Sequence, residues 1–331
     1  MMTSLRNLFG KKKHVNIPGI FWGILLLIIF FGFKEKNFFT PYNLILIARN
    51  VCILLLASVG MTLAVLVSQI DLSIGSVMSL TAVVLGVTVG RGLPIVLCIL
   101  IALMVGVVIG SINGYMIAKL HFDYWITTFA TMSVGAGLAL VVSGGNTIPI
   151  KSALIEWLGN GRILGVYAMI WITAILIVLM IFVLKRTRLG YNIYSIGGSE
   201  NVARVSGINV VKNRFAVYVI SGLFASVAGV LIAGMTTSAS PIVGTEYSFN
   251  AIAAVVIGGT SFDGGKGGLV GTLLGTLLLR VLASGLSMMG VSSVVQKVII
   301  GLVIVGLIVA DQIGEKMKKK EGLRRVYADA E

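Results

Sequence analysis

Asp71 lies between Ile70 and Leu72 in a stretch that is apolar for many residues on both sides. A charge at membrane depth costs roughly 2.5 to 3.5 kcal/mol on insertion scales, so such an acid faces a cavity, a partner or an interface. Two roles are open to it: N-cap of the helix that follows, with Ser73 helping, or part of a polar path through the apolar sequence. Gln69, Ser73, Asn113, Thr127, Asn250 and Thr260 are the uncharged polar residues in or near apolar runs that would line such a path with it. Hydrogen bonds between helices, worth about 0.6 kcal/mol each, are the alternative use for side chains of this kind. Arg280 and Lys297 also interrupt apolar runs, and their long stems can carry the charge to the nearer surface. Glu246 is the candidate counter-ion that topology puts nearest to them.

Other chemistries have no residues to carry them. The run Gly264-Gly265-Lys266-Gly267-Gly268 lacks both the spacing and the hydroxyl of a phosphate-binding G-x-x-x-x-G-K-[ST] loop. No H-E-x-x-H occurs, and the two histidines, His14 and His121, stand far apart in sequence. The two cysteines, Cys52 and Cys98, sit inside apolar runs and read as inert buried thiols, with neither a disulfide nor a metal site implied. No catalytic residues and no bound cofactor are expected, so any energy for work must come from another protein.

The elements that must position these residues are membrane spans. Of 331 residues, 57% are hydrophobic and 11% charged, and the mean hydropathy is +1.02. A soluble domain carries roughly 25% charged residues. Spans are expected near 18–33, 43–67, 72–89, 94–118, 124–142, 165–184, 215–236, 249–260, 268–287 and 293–310, the eighth being short. A first run followed by Lys34-Glu35-Lys36 lacks a small-residue cleavage site, so it reads as a retained span rather than a signal peptide. With ten spans and a cytoplasmic N-terminus, 18 of the 26 basic residues fall on the cytoplasmic side and 5 on the other. That asymmetry fits the positive-inside rule and puts both termini in the cytoplasm, and eight spans satisfy it too if the short eighth span and one neighbour are re-entrant. Tails 1–17 and 313–331 then flank one transmembrane domain, 18–312. The net charge of +14 resides in loops and tails as a topology signal, which excludes nucleic-acid binding as its explanation.

Small residues repeat every fourth position at Gly106, Gly110 and Gly114, at Ser221, Ala225, Gly229 and Ala233, and at Gly267, Gly271 and Gly275. Such rows let helix backbones approach closely in lipid, with pore lining as the alternative. Polar breaks at 68–76 and 258–268 hint at two related halves, and paired breaks point to a transport path at a repeat interface.

The segment 185–214 interrupts the apolar sequence with a basic, polar loop. Within it Ser199 and Glu200 form a helix start and Gly207 a stop. A two-turn helix is not stable in water alone. Docking on a partner would stabilise it.

At this point the sequence resembles the ribose-type ABC importer permeases, relatives of the branched-chain amino acid and vitamin B12 permeases. The resemblance rests on Gly60-Met61-Thr62-Leu63 leading into 70–76, on Ile112-Asn113-Gly114, on Thr131-Met132-Ser133, on 196–208, and on 253–261. It implies an all-α fold of about ten spans like that of the vitamin B12 permease, with two related halves. It also implies a second permease subunit, a pair of cytoplasmic ATPase subunits that use ATP and Mg, and an extracytoplasmic sugar-binding protein. The substrate implied is a pentose such as ribose or a similar monosaccharide, carried across a bacterial plasma membrane. Another small polar solute, or an ion-coupled secondary carrier, is the alternative. The resemblance makes Ser199, Glu200, Asn201, Ala203, Arg204 and Gly207 the coupling element. The usual Glu-Ala-Ala of such loops is replaced here by Asn201-Val202-Ala203, with Gly207 retained, which leaves contact with the ATPase to apolar groups and to neighbours such as Glu200 and Arg204.

Overall fold

The computed structural model describes residues 19–303, 305 and 306. Both expected tails and the end of the tenth expected span lie outside the described residues. Thirteen helices are present among those described. They are α1 Gly19–Lys34, α2 Pro41–Leu66, α3 Ile74–Gly90, α4 Ile95–Ala118, α5 Tyr124–Ser143, α6 Ala153–Asn160, α7 Ala168–Arg186, α8 Arg188–Gly198, α9 Glu200–Val205, α10 Val210–Thr236, α11 Tyr247–Ile257 and α12 Leu269–Met288, followed by α13 Ser293–Val303. Six of them, α2, α4, α5, α7, α10 and α12, are long and apolar enough to cross a membrane. The ten expected spans therefore divide into these six and four shorter apolar helices, α1, α3, α11 and α13.

Helix α2 is apolar on every side from Val51 to Leu66 and is buried along that whole length, as expected of a helix at the centre of a bundle. It starts cleanly because Thr40 caps Asn43 N–H and Pro41 occupies the first helical turn. The helix ends in a Schellman turn, with Gln69 N–H donating to Ala64 C=O and Ser68 N–H to Val65 C=O. Ser68 takes the left-handed conformation at φ 60°. Its hydroxyl donates to Asp263 C=O at 2.7 Å, which ties this break to the one before α12.

The rows on α4 and α10 are helix seams, and so are Gly271 and Gly275 of the third, whereas Gly267 lies before α12 at φ 115° against Thr260. On α4, Gly106 and Gly110 face the backbones of Gly222 and Tyr218 of α10. On α10, Gly229 faces Met78 and Thr81 of α3. On α12, Gly271 and Gly275 face Gly258 and Ala254 at the C-terminal end of α11. A side chain at any of these glycines would collide with backbone rather than with a movable group, so dispersion and backbone contact hold the seams together. The outer faces of α4, α5 and α7 expose large apolar groups such as Val96, Ile126, Val178 and Phe182, as lipid-facing surfaces do.

Helices α3 and α11 begin side by side inside the bundle. Ser248 Oγ accepts from Gly75 N–H at 2.9 Å and donates to Leu72 C=O at 2.7 Å. Just before α11, Gly244 N–H donates to Ser79 Oγ at 2.8 Å. These hydrogen bonds tie irregular backbone to neighbouring protein, the condition under which it persists in a membrane. At one end of the bundle, α6 and two short antiparallel ladders close the surface, pairing Ile148–Pro149 with Ser238–Ala239 and Arg162–Ile163 with Val166–Tyr167. Arg49 is used there: it donates to Gly159 C=O and Asn160 Oδ1 and lies over the Tyr167 ring.

Candidate translocation and coupling sites

The α2–α3 break, α4 and α10 converge on one buried polar cluster. Asp71 is 1% exposed. Its Oδ1 accepts from Ser73 N–H at 3.0 Å and Ser73 Oγ at 2.6 Å, and its Oδ2 accepts from Ser221 Oγ at 2.6 Å. Asn113 Nδ2 donates to Ser73 Oγ at 2.9 Å. Tyr218 on α10 donates its hydroxyl hydrogen to Gln69 Oε1 at 3.2 Å. Asp71 thus bonds the N–H ahead of α3, as a cap would, and also grips α10. The acid has no cationic partner in this cluster. Three hydroxyl or amide donors satisfy its oxygens instead, as burial of a polar group requires.

Of the seven residues expected to line a path, four meet here: Gln69, Asp71, Ser73 and Asn113. The other three are elsewhere. Thr127 is buried on α5 with no side-chain hydrogen bond to the cluster. Thr260 caps the entry to α12, its Oγ1 accepting from Gly268 N–H at 3.2 Å. Asn250 lines a separate cavity with Glu246, Tyr247, Arg280 and Lys297. Glu246 pairs with Lys297, so the acid that topology put nearest to the two cations meets only one of them. Tyr218 was not among the expected residues. Its signal is spacing: Arg214, Tyr218 and Ser221 stand at i, i+4 and i+7 on one face of α10.

The segment 185–214 holds two helices, not one short helix in a loop. Helix α8 buries Ile193 and Ile196, and Gly197 packs against the Leu66 carbonyl and Gly265 N. Tyr194 donates to Gly267 C=O at 2.9 Å. The loop is thereby fastened to the end of α2 and to the α11–α12 connection. Helix α9 follows as expected, capped by Ser199 Oγ on Val202 N–H. It is closed by a Schellman turn in which Gly207 sits at φ 82° and Ile208 N–H donates to Ala203 C=O.

Ala203 is the one buried residue of α9, whereas Val202 and Val205 are 61% and 86% exposed. Glu200 faces inward to two arginines, accepting from Arg204 at 2.7 Å and from Arg214 at 2.6 Å. Burial alone would raise the Glu200 carboxyl, but the hydrogen bonds and charges of Arg204 and Arg214 outweigh it and hold the group below its usual range. Arg214 belongs to α10, so one short helix is fastened to the base of the same rod that carries Tyr218 and Ser221.

A multi-pass α-helical protein with backbone seams, an interior break carrying a buried acid and a capped surface helix has the build of a membrane permease. The chain belongs to the family described as "Branched-chain amino acid transport system / permease component", which matches residues 43–308. It is 40% identical over 294 residues to the Ribose import permease protein RbsC of Escherichia coli K12, covering 87% of this chain and 91% of that one. It is 36% identical over 310 residues to the Ribose import permease protein RbsC of Bacillus subtilis, covering 91% and 96%. It is 31% identical over 299 residues to the Fructose import permease protein FrcC of Rhizobium meliloti, covering 87% and 83%. No solved structure matches the chain. The chain is a membrane permease subunit of the ABC-importer type, homologous to sugar import permeases, and is not the ATP-binding component. Among the described residues no group of three or more His, Cys, Asp or Glu side chains could hold a metal ion.

Proposed function

We propose that this chain is the translocation subunit of an ATP-driven importer for ribose or a similar monosaccharide in a bacterial plasma membrane. The observation that carries the reading is near full-length similarity to ribose import permeases, joined to a capped helix whose exposed valines have no partner within the described chain. The protein works with cytoplasmic ATPase subunits, a second permease subunit and an extracytoplasmic sugar-binding protein. Ten spans in two related halves form one domain over 18–312, with both termini and the 185–214 segment in the cytoplasm. The charge asymmetry of the loops supports that orientation, and the hydrogen bond between the breaks at Ser68 and Asp263 supports the pairing of the halves.

In this reading Val202 and Val205 seat α9 on the ATPase, with Ser199 and Gly207 fixing the helix ends and Asn201 on its exposed side. Glu200 transmits the displacement to Arg214 and so to α10. A rigid helix rises 1.5 Å per residue, so movement at Arg214 reaches Ser221, about 10 Å along the rod, without a hinge. There it acts on Asp71 and on the start of α3. Alternating access then comes from shifting α10 against the α2–α3 break. ATP-dependent uptake of D-ribose by vesicles holding the permease, its ATPase and its binding protein is the test, and uptake that persists without the ATPase contradicts it.

A further inference from the structure

Helix α7 carries an exposed apolar stripe in Ile175, Val178, Leu179 and Phe182, each 53% to 66% exposed. Their spacing of i, i+3, i+4 and i+7 puts them on one face. The same face continues, at i+10 and i+11, into Lys185 and Arg186 of the last turn. Arg188 follows at the start of α8, and Lys266 stands in the connection that leads to α12. All four cations are exposed. Among the described residues none of them joins an ion pair, and Asp263, the acid on the same connection, pairs with none of them.

A cavity of about 260 Å³ opens at this corner, between the end of α7, α8 and the start of α12. Its lining is mixed, with Ile181, Leu184 and Val270 apolar and Lys185, Tyr194 and the backbone of Gly268 polar. Two of the polar donors are spent. Tyr194 donates to Gly267 C=O at 2.9 Å, and Gly268 N–H donates to Thr260 Oγ1 at 3.2 Å. Lys185 is in no ion pair and is exposed, so a ligand from outside the protein can reach it.

Cations that end a lipid-facing stripe stand at the level of lipid headgroups, and such clusters beside a span attract anionic lipids. An ammonium with two guanidiniums next to it complements a phosphate. The apolar lining, joined to the α7 stripe through Ile181 and Phe182, suits the first part of an acyl chain. At about 260 Å³ the cavity is smaller than the roughly 300 to 1,000 Å³ of a pocket that encloses a whole small molecule. A lipid whose tails stay in the bilayer needs no more. The ATPase contact falls on α9 under the proposed function, whereas these cations continue a face that meets lipid.

We infer that the corner between α7, α8 and α12 is a binding site for the phosphate headgroup of an anionic membrane lipid, with Lys185 as its first cation and Arg186 and Arg188 around it. A lipid bound there braces the α7–α8 corner against the start of α12, beside the Tyr194–Gly267 bond that fastens the 185–214 segment. The site goes beyond the transport reading and does not depend on which solute crosses.

The test titrates the full-length permease in maltoside detergent with phosphatidylglycerol, phosphatidylcholine and glycerol 3-phosphate, with bound molecules counted by native mass spectrometry. It compares wild type, Lys185→Gln, the triple variant Lys185→Gln/Arg186→Gln/Arg188→Gln, and Lys119→Gln, which alters an exposed cation at the end of α4 outside the cavity. Melting temperature and co-purification with the ATPase are measured for each. Expected is phosphatidylglycerol binding about tenfold or more tighter than phosphatidylcholine in wild type, weakened about fivefold in Lys185→Gln and about twentyfold or more in the triple variant. Lys119→Gln should bind as wild type does, and lipid-free melting temperatures should match because the altered side chains are exposed. Equal wild-type affinity for the two lipids would overturn the site, as would the same loss of phosphatidylglycerol binding in Lys119→Gln as in Lys185→Gln. Glycerol 3-phosphate binding as tight as that of phosphatidylglycerol would reassign the cavity to a soluble phosphate and overturn the lipid. Unchanged phosphatidylglycerol binding in the triple variant, with co-purification of the ATPase lost, would make the corner a protein-facing surface and overturn the proposal. A lower lipid-free melting temperature in Lys185→Gln would assign Lys185 to packing and overturn it as well.

Discussion

Ser221 Oγ donates to Asp71 Oδ2 at 2.6 Å, joining the middle of α10 to the break that precedes α3. The pair is separated by 150 residues and buried on both sides, with Asp71 and Ser221 each 1% exposed. It makes the break part of the same mechanical unit as α10, whose first turns pair Arg214 with Glu200 of α9. Leaving a buried hydrogen-bonding group without its partner costs about 1 to 3 kcal/mol, so Ser221→Ala is expected to destabilise the permease by that amount. A thermal or denaturant melt in detergent checks the value. Asp71→Leu removes the acceptor of three bonds and should fail to yield folded protein.

The α4–α10 seam predicts a steric effect in place of an electrostatic one. A methyl at Gly106 meets the Gly222 carbonyl, and a methyl at Gly222 meets the Gly106 carbonyl. Overpacking of this kind costs about 1 to 3 kcal/mol even when neighbours can shift, and here the obstacle is backbone. Gly106→Val should therefore abolish folded yield in size-exclusion chromatography. Gly137→Ala, at a site with open space around it, should leave it unchanged.

Glu200 predicts a pH dependence. Its carboxyl is held below the usual range by Arg204 and Arg214, so the anchoring of α9 is fully present above the ordinary glutamate value of about 4.3. It is lost as pH falls through the lower folded value. Amide exchange in α9 should accelerate, beyond the intrinsic pH effect, only below that window. Glu200→Gln should show the faster exchange at neutral pH.

The exposed valines of α9 separate docking from folding. Val205→Asp alters a side chain that is 86% exposed, and surface changes of that kind stay within about 0.5 kcal/mol for stability. Its melting temperature should match wild type while co-purification with the ATPase falls at least tenfold. Gly207→Asp places a side chain at φ 82° and should cost about 1 kcal/mol or more locally and weaken the same association.

The helical ladder is legible in the sequence because apolar runs of spanning length have few other uses, and the ends of α2, α4, α5 and α12 fall within two residues of their expected positions. Gly207 is equally legible, since a Schellman turn leaves a local signature. What composition does not carry is pairing across the fold. Nothing local at Tyr218 points to Gln69, 149 residues away, and Asn250 looks no different from Asn113 although they line different places. The amphipathic helix α8 is hidden because its buried residues, Gly190, Ile193, Ile196 and Gly197, are spread through a basic and glycine-rich loop. Glu246 and Lys297 each end up beside a cavity whose existence depends on the angle between α11, α12 and α13, which no spacing in one chain segment fixes.

Under the proposed function, a separate ATPase gripping α9 drives sugar through this chain. The most direct measurement is initial-rate uptake of radiolabelled D-ribose by vesicles holding permease, ATPase and binding protein, with ATP, without ATP, and with Val205→Asp. Uptake that requires ATP and falls at least tenfold in Val205→Asp is the predicted result. Uptake driven by an ion gradient in the absence of ATP, and indifferent to Val205, would contradict it.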